Sequence, residues 1–256
     1  MDDNDMPLTN IQVSLVLPCY NESEHIAVSL PKINKILEFC LGKENFEIIC
    51  VDDASTDQTL EWLTQQRGLS LKVLSNKTNL GRGETVKVGL KAARFSIVGF
   101  MDIDCEVSES YLPKFILTIV EGADFVVARR IYRVSPHPYV LLRHFLSIIY
   151  RIVLNHFLQV KILDTEAGYK FFNQTAKNIV LERSSFAGWF WDTETCALIE
   201  MAGLRTVEIP AVYTRNPHKT STVKIVRDSW RYIKSLLKFL RLRQSGHYNI
   251  ILRAND

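Results

Sequence analysis

The chain lacks the roughly 20 uncharged apolar residues in a row that a membrane-spanning helix requires. Its first residues, "MDDNDMPLTN", are acidic and polar, without the basic-then-apolar pattern of a secretory leader. These two absences predict a cytoplasmic protein that is still able to lie on the cytoplasmic face of a membrane. The five cysteines, Cys19, Cys40, Cys50, Cys105 and Cys196, are scattered and odd in number. No CxxC or Cys/His spacing offers a zinc site, so buried free thiols in a reducing compartment are expected. Lys+Arg 31 against Asp+Glu 28 leaves a net charge of +3, too mild an excess to argue for nucleic acid. There are no internal repeats and no low-complexity linker. The glycine-rich "NLGRGETVKVG" is neither a Walker A loop nor a GxGxxG fingerprint.

Hydrophobic residues make up 47% of the 256, which suits one large α/β domain or one domain with an appendage. "IQVSLVLPCY", "FEIICVDD", "LKVLSN", "SIVGFMD" and "ADFVVARR" read as strands. Between the first four lie helical patterns: "SEHIAVSLPKINKILEFC", "TDQTLEWLTQQ" with Thr56 as its N-cap, and "GRGETVKVGLKAAR". This alternation predicts a mostly parallel, doubly wound sheet. "LRTVEIPAVYTR" reads as a late strand, and "YVLLRHFLSIIYRIVLNHFLQVKI" as a long apolar, basic helix. The chain divides into a polar tail (1–11), an α/β domain (12–221) and a basic amphipathic extension (222–256).

Several of the strands run into acids or glycines. Pro18 to Glu22, Asp52 to Ser55, Asn79 to Gly83 and Asp102 to Asp104 all follow strands. In a doubly wound sheet such segments converge on the ligand crevice. Asp102 and Asp104 repel each other and need a cation, a proton or open water. A divalent ion such as Mg²⁺ or Mn²⁺ is one reading, since these favour oxygen ligands and recruit substrate phosphates. A solvated loop is the other, and Asp52 and Asp53 have the same alternative.

In order along the chain, "LVLPCYNESEHI", "VDDASTDQTL", "NLGRGETVKVGL", "MDIDCE", "DTEAGYKFF" and "WFWDTE" resemble the motifs of family 2 glycosyltransferases. Within that family they resemble the dolichol-phosphate mannose and glucose synthases and their bacterial polyprenyl-phosphate relatives. The resemblance runs from Val13 to Lys219. It implies a GT-A fold, a nucleotide-sugar donor (GDP-mannose or UDP-glucose) and inversion at the anomeric carbon. It places Pro18, Tyr20 and Glu22 beside the nucleobase and ribose. Asp52 and Asp53 would hold the base or ribose, unless Asp53 simply caps its turn. Gly83 would belong to the donor-side glycine turn.

The same resemblance puts a divalent ion on Asp102 and Asp104, with Glu106 as an additional ligand at a usual glutamine position. Arg130 and Arg143 would face phosphate, for which the arginine fork is suited; solvated or membrane-facing charge is the other reading. Asp164 would lie beside the sugar, and Lys170 replaces a usual arginine. Asp192 and Glu194 match an acidic pair, or cap the following helix. Lys219 falls in a loop that closes over the donor. Glu84, "CEVSES" and Ala167 depart from the usual pattern and blur the identity of donor and acceptor.

Transfer to a hydroxyl needs a general base, and Asp164, Asp192 or Glu194 would supply it. A phosphate acceptor is largely ionised at neutral pH and needs cations instead. A glycan or small-molecule hydroxyl acceptor therefore stays open, as does an inactive nucleotide-sugar-binding scaffold. The tail carries an apolar stripe, Val226, Trp230, Ile233, Leu237 and Leu240. One residue later runs a basic stripe, Arg227, Arg231, Lys234, Lys238 and Arg241. That pattern fits a helix lying on anionic lipid beside a polyprenyl or dolichyl phosphate. It also fits packing on the main domain or on a membrane-protein partner.

Overall fold

The computed structural model describes residues 10–66, 69–132, 158, 160–214 and 225–248, with side chains of the last helix from 230 onward. The strands are β1 (Val13–Cys19), β2 (Phe46–Asp52), β3 (Leu71–Ser75), β4 (Ile97–Met101), β5 (Phe125–Tyr132), β6 (Tyr169–Phe172) and β7 (Thr206–Tyr213). The helices are α1 (Ser23–Leu41), α2 (Thr59–Gln65), α3 (Arg82–Ala92), α4 (Leu112–Val120), α5 (Gln174–Arg183), α6 (Phe190–Met201) and α7 (Ile225–Gln244). Among the described residues the strands form one sheet in the order β3-β2-β1-β4-β6-β5-β7.

β1 pairs in parallel with β2 and β4, β2 with β3, and β5 with β7. Only β6 runs against its neighbours, β4 and β5. The sheet is therefore mostly parallel, as the alternating pattern predicts. β6 is the strand that sequence reading marks only as a motif. Its four residues "YKFF" are all buried, so they show no period-two alternation. A lysine in the middle of a fully buried strand further obscures it.

The apolar runs make the core. Leu15, Val16, Leu17, Ile48, Ile49 and Val51 have no exposed surface, as expected for strands covered on both faces. α1 buries Ile26, Leu30, Ile33, Leu37 and Leu41, a helical spacing. α3 packs so closely on β1 that a Cβ at Gly89 would come within 2.3 Å of Val16 Cγ1. The order β2-β1-β4 reverses direction across β1, which opens a crevice at the carboxyl ends of β1 and β4.

Thr56 is not a helix cap. Its N–H and hydroxyl both donate to Asn21 Oδ1, and α2 begins later, where Asp57 Oδ1 accepts from Thr59 N–H at 2.9 Å. All five cysteines are free; Cys19, Cys50 and Cys196 are buried, Cys40 and Cys105 partly so. No helix among the described residues is long and apolar enough to cross a membrane.

The basic extension has two apolar edges. Leu236 and Phe239 are buried, and Phe190 of α6 meets the rings of Tyr232 at 5.0 Å and Phe239 at 6.1 Å. Trp230, Ile233 and Leu237 point outward and stay exposed. The expected stripe therefore splits: Leu240 packs against the core, while the three others do not. Val226 and Arg227 have no described side chains, and the expected 140–158 helix lies outside the described residues apart from Leu158.

Candidate functional site

Strain marks the strand ends. Ala54, just after Asp52 and Asp53, and Cys105, just after Asp104, hold left-handed backbone at φ 57° and 50°. Non-glycine residues adopt this region at a cost, commonly at functional sites. Burial pushes the Cys105 thiol up to about 12, so it stays protonated.

Asp53 organises the glycine turn. Its carboxylate accepts from Leu80 N–H at 2.8 Å, Gly81 N–H at 2.9 Å and the Asn76 amide at 2.8 Å. That is the turn-capping alternative. Gly81 sits at φ 89°, which suits glycine. Asp52 is buried and accepts from Ser75 Oγ at 3.3 Å. At Gly83 a Cβ would lie 2.4 Å from Trp191 Cβ, so this glycine permits α3 to meet α6. At the end of β1, Pro18 is half-buried and Tyr20 is exposed. The Glu22 carboxylate pairs with His25 Nδ1 at 2.7 Å.

The centre is a cation that sequence reading passed over. Arg82, inside the glycine turn, donates to Asp102 Oδ1 through Nη2 and to Asp192 Oδ2 through Nη1, each at 2.6 Å. Asp192 Oδ1 accepts from Lys170 Nζ at 2.5 Å, and that ammonium also reaches Ala167 O at 2.6 Å. Two carboxylates and two cations thus neutralise each other, with Asp192 and Lys170 almost fully buried. Burial pulls the Arg82 guanidinium down, but Asp102 and Asp192 outweigh it and hold its pKa above the ordinary value. Asp102 therefore meets a side-chain cation here, one of the conditions its crowding demands.

Gly168 makes this packing possible. A Cβ there would lie 1.9 Å from Asp102 Oδ2 and 2.5 Å from Arg82 Nη2.

A second ion pair lies alongside. Arg130 grips Asp164 through Nε and Nη2, both at 2.8 Å, and through its own N–H at 2.9 Å. Burial lowers the Arg130 pKa, and the bonds to Asp164 more than reverse this. Asp102, Asp104, Glu106, Arg130, Gly168, Tyr169 and Tyr213 line one small cavity. Glu106 accepts from the Tyr213 hydroxyl. The buried Tyr169 hydroxyl has no hydrogen-bond partner among the described residues.

That cavity fits a hard divalent ion only in part. It offers carboxylate oxygens and an orphaned hydroxyl that a bound water could satisfy. Yet no cluster of three or more metal-ligating side chains exists among the described residues. Such a set suits an ion that draws its remaining ligands from substrate phosphates.

Glu194 sits apart from this group. It is completely buried, and accepts from Ser185 N–H at 2.7 Å, Phe186 N–H at 3.0 Å and the Tyr248 hydroxyl at 2.7 Å. Arg143 and Lys219 lie outside the described residues.

Comparison with known proteins gives these features a setting. The model of "Glycosyl transferase family 2" matches residues 14–181. "Glycosyltransferase AglD" of Haloferax volcanii is 27% identical over 85% of this chain, which spans only 35% of that relative. "Dolichyl-phosphate beta-glucosyltransferase" of Dictyostelium discoideum is 26% identical over 92% of this chain and 79% of its own length. Among solved structures, glucosyl-3-phosphoglycerate synthase from Mycobacterium tuberculosis, in complex with Mn²⁺, uridine diphosphate and glucosyl-3-phosphoglycerate, superposes with a TM-score of 0.66. That match is at 19% identity and covers 90% of this chain and 80% of the other.

Proposed function

The chain belongs to glycosyl transferase family 2, it is a glycosyltransferase of GT-A fold, and from that premise we propose that it moves a hexose from a nucleotide sugar to a polyprenyl or dolichyl phosphate. The observation carrying this reading is the state of the three carboxylates that could serve as a general base. Asp164 is held by the Arg130 fork, Asp192 lies between Arg82 and Lys170, and Glu194 is buried under three donors. A base must reach the proton it removes. A phosphate acceptor arrives largely ionised and has no such need. The dolichyl-phosphate relative supports the same acceptor class.

In this reading an oxygen of the acceptor phosphate attacks the anomeric carbon from the face opposite the leaving group. The bond from that carbon to the nucleoside diphosphate breaks, and the configuration inverts. Asp52 and the turn held by Asp53 border the nucleoside, and Tyr20 offers an exposed ring to the base. Asp102 and Asp104 would hold Mg²⁺ or Mn²⁺, with Glu106 as a reserve ligand. A divalent ion bound there would supply positive charge to offset that of the leaving diphosphate. Arg82 and Lys170 hold Asp102 and Asp192 in place through their ion pairs, and Arg130 orients Asp164 while adding positive charge near the cavity. Arg143 and Lys219 are assigned to acceptor phosphate and donor closure on resemblance alone. The enzyme works from the cytoplasmic face, with the 222–256 extension on the membrane surface.

The test is transfer from labelled UDP-glucose and GDP-mannose to a short polyprenyl phosphate, with Mg²⁺ or Mn²⁺ and with chelator. Metal-dependent lipid-linked product is expected from one of the two donors. Donor turnover with a glycan or alcohol but none with the lipid phosphate would overturn the acceptor assignment.

A further inference from the structure

Two tryptophans flank Phe190, and the fold treats them oppositely. Trp191 is completely buried, its ring centroid 5.6 Å from that of Phe100. Trp189 is 70% exposed. An exposed indole that contributes little to the core is the more informative of the two. Arg82 Cζ lies over its ring, 5.7 Å from the centroid. The same guanidinium holds Asp102 and Asp192, so Trp189 stands over the charged centre of the site.

Its surroundings leave room. A Cβ at the preceding Gly188 would meet nothing within 4 Å. On the other side is the turn that Asp53 fixes: a Cβ at Gly81 would come 3.6 Å from Gly188 Cα. The indole therefore joins the donor-side turn to the carboxylates around Arg82. A pyranose ring has one apolar C–H face and a rim of hydroxyls. A flat apolar surface beside a few fixed polar groups is the pairing that would recognise it.

We propose that Trp189 is the platform on which the hexose of the sugar-nucleotide donor packs. It distinguishes the donor from the nucleoside diphosphate left after transfer, because only the donor presents a sugar to the ring. This rests on the nucleotide-sugar reading above. The indole restricts the hexose to one tilt relative to Asp102, and its loss removes a contact that the nucleoside diphosphate never makes.

Calorimetric titration of the full chain with UDP, UDP-glucose, GDP and GDP-mannose, in Mn²⁺, tests it. In Trp189→Ala the sugar nucleotide should bind about five- to tenfold more weakly, and the matching nucleoside diphosphate within about twofold of wild type. Trp189→Phe, which keeps a flat ring, should stay within about threefold of wild type for both. Equal weakening of both ligands, or no weakening of either, would overturn the platform. So would an effect confined to the KM for the acceptor. If wild type bound none of the four ligands, the donor reading itself would fall, and this inference with it.

Discussion

Position 168 tolerates only hydrogen. Gly168 O accepts from Asp102 N–H at 3.0 Å, so the two backbones are pinned together. An added methyl would then have to displace Asp102 Oδ2, 1.9 Å away, or the Arg82 guanidinium. We expect Gly168→Ala to lower kcat/KM by about 100-fold, the scale of an ångström-sized misplacement. Overpacking should cost only about 1–3 kcal/mol of stability. Steady-state kinetics beside a denaturant melt would separate the two effects, and wild-type turnover would show that the Asp102–Arg82 contact is dispensable. The sequence marks this glycine within "DTEAGYKFF" but gives no reason for it. Its neighbours Asp102 and Arg82 lie far away in the chain, and no local pattern links them. Arg82 was hidden in the same way: its bond to Asp192 spans 110 residues. Residue type could locate the carboxylates, but which cation each meets is a property of the folded sheet.

At the scale of elements, legibility followed hydrophobic patterning. β1, β2 and β4 announce themselves as apolar runs stopping at Pro18, Asp52 and Asp102, and the fold places those stops at one edge of the sheet. β6 does not announce itself, because a buried four-residue strand containing Lys170 has neither length nor alternation. α6 combines both situations. Its acids were visible, yet Asp192, Thr193 and Glu194 point to three different neighbours. Asp192 faces Arg82 and Lys170. Thr193 Oγ1 accepts from Tyr232 of α7 at 2.8 Å. Glu194 ties down the segment at 185–186 and Tyr248.

Burial pushes the Glu194 pKa above the ordinary glutamate range, outweighing the N–H donors of Ser185 and Phe186 and the Tyr248 hydroxyl. A raised acid binds its proton more tightly in the folded chain than in the unfolded one. Its stabilising share is therefore complete below about pH 4.3 and is lost as pH rises through the folded-state value. Glu194→Gln cannot ionise, so its Tm should fall less than that of wild type as pH rises from about 4 to 8. Parallel Tm–pH curves would show that Glu194 does not titrate differently in the two states.

For the whole molecule, the question is why α7 leaves one apolar edge uncovered among the described residues. Its inner edge is anchored: Phe239 is buried, stacks on Tyr248 at 4.8 Å, and Ser185 Oγ bonds His247 Nε2 at 2.9 Å. The helix is thus fixed to the enzyme without using Trp230, Ile233 or Leu237. Around those three lie Arg231, Lys234, Lys238 and Arg241, with Lys234 Nζ 5.7 Å from the Trp230 ring centroid. An apolar edge rimmed by cations suits the surface of an anionic bilayer, where each nearby cation contributes about 1 kcal/mol and salt screens the attraction.

The chain should therefore float with vesicles containing phosphatidylserine or phosphatidylglycerol, bind neutral phosphatidylcholine vesicles weakly, and be released by high salt. The two halves of the interaction can be separated. Lys234→Gln with Lys238→Gln should flatten the salt dependence. Trp230→Ser with Leu237→Ser should weaken binding at every salt concentration. Trp230 and Leu237 are exposed, so that pair's melting temperature should match wild type; Lys238 Nζ also lies 5.2 Å from the Phe186 ring centroid, so the lysine pair should melt slightly lower. If the Trp230/Leu237 variant floated like wild type, the exposed edge would not be the membrane contact. A second chain or another protein would then be the better occupant. A result of the expected kind would place the bilayer surface, and with it a lipid-borne phosphate, one helix away from Asp192 and the charged centre of the site.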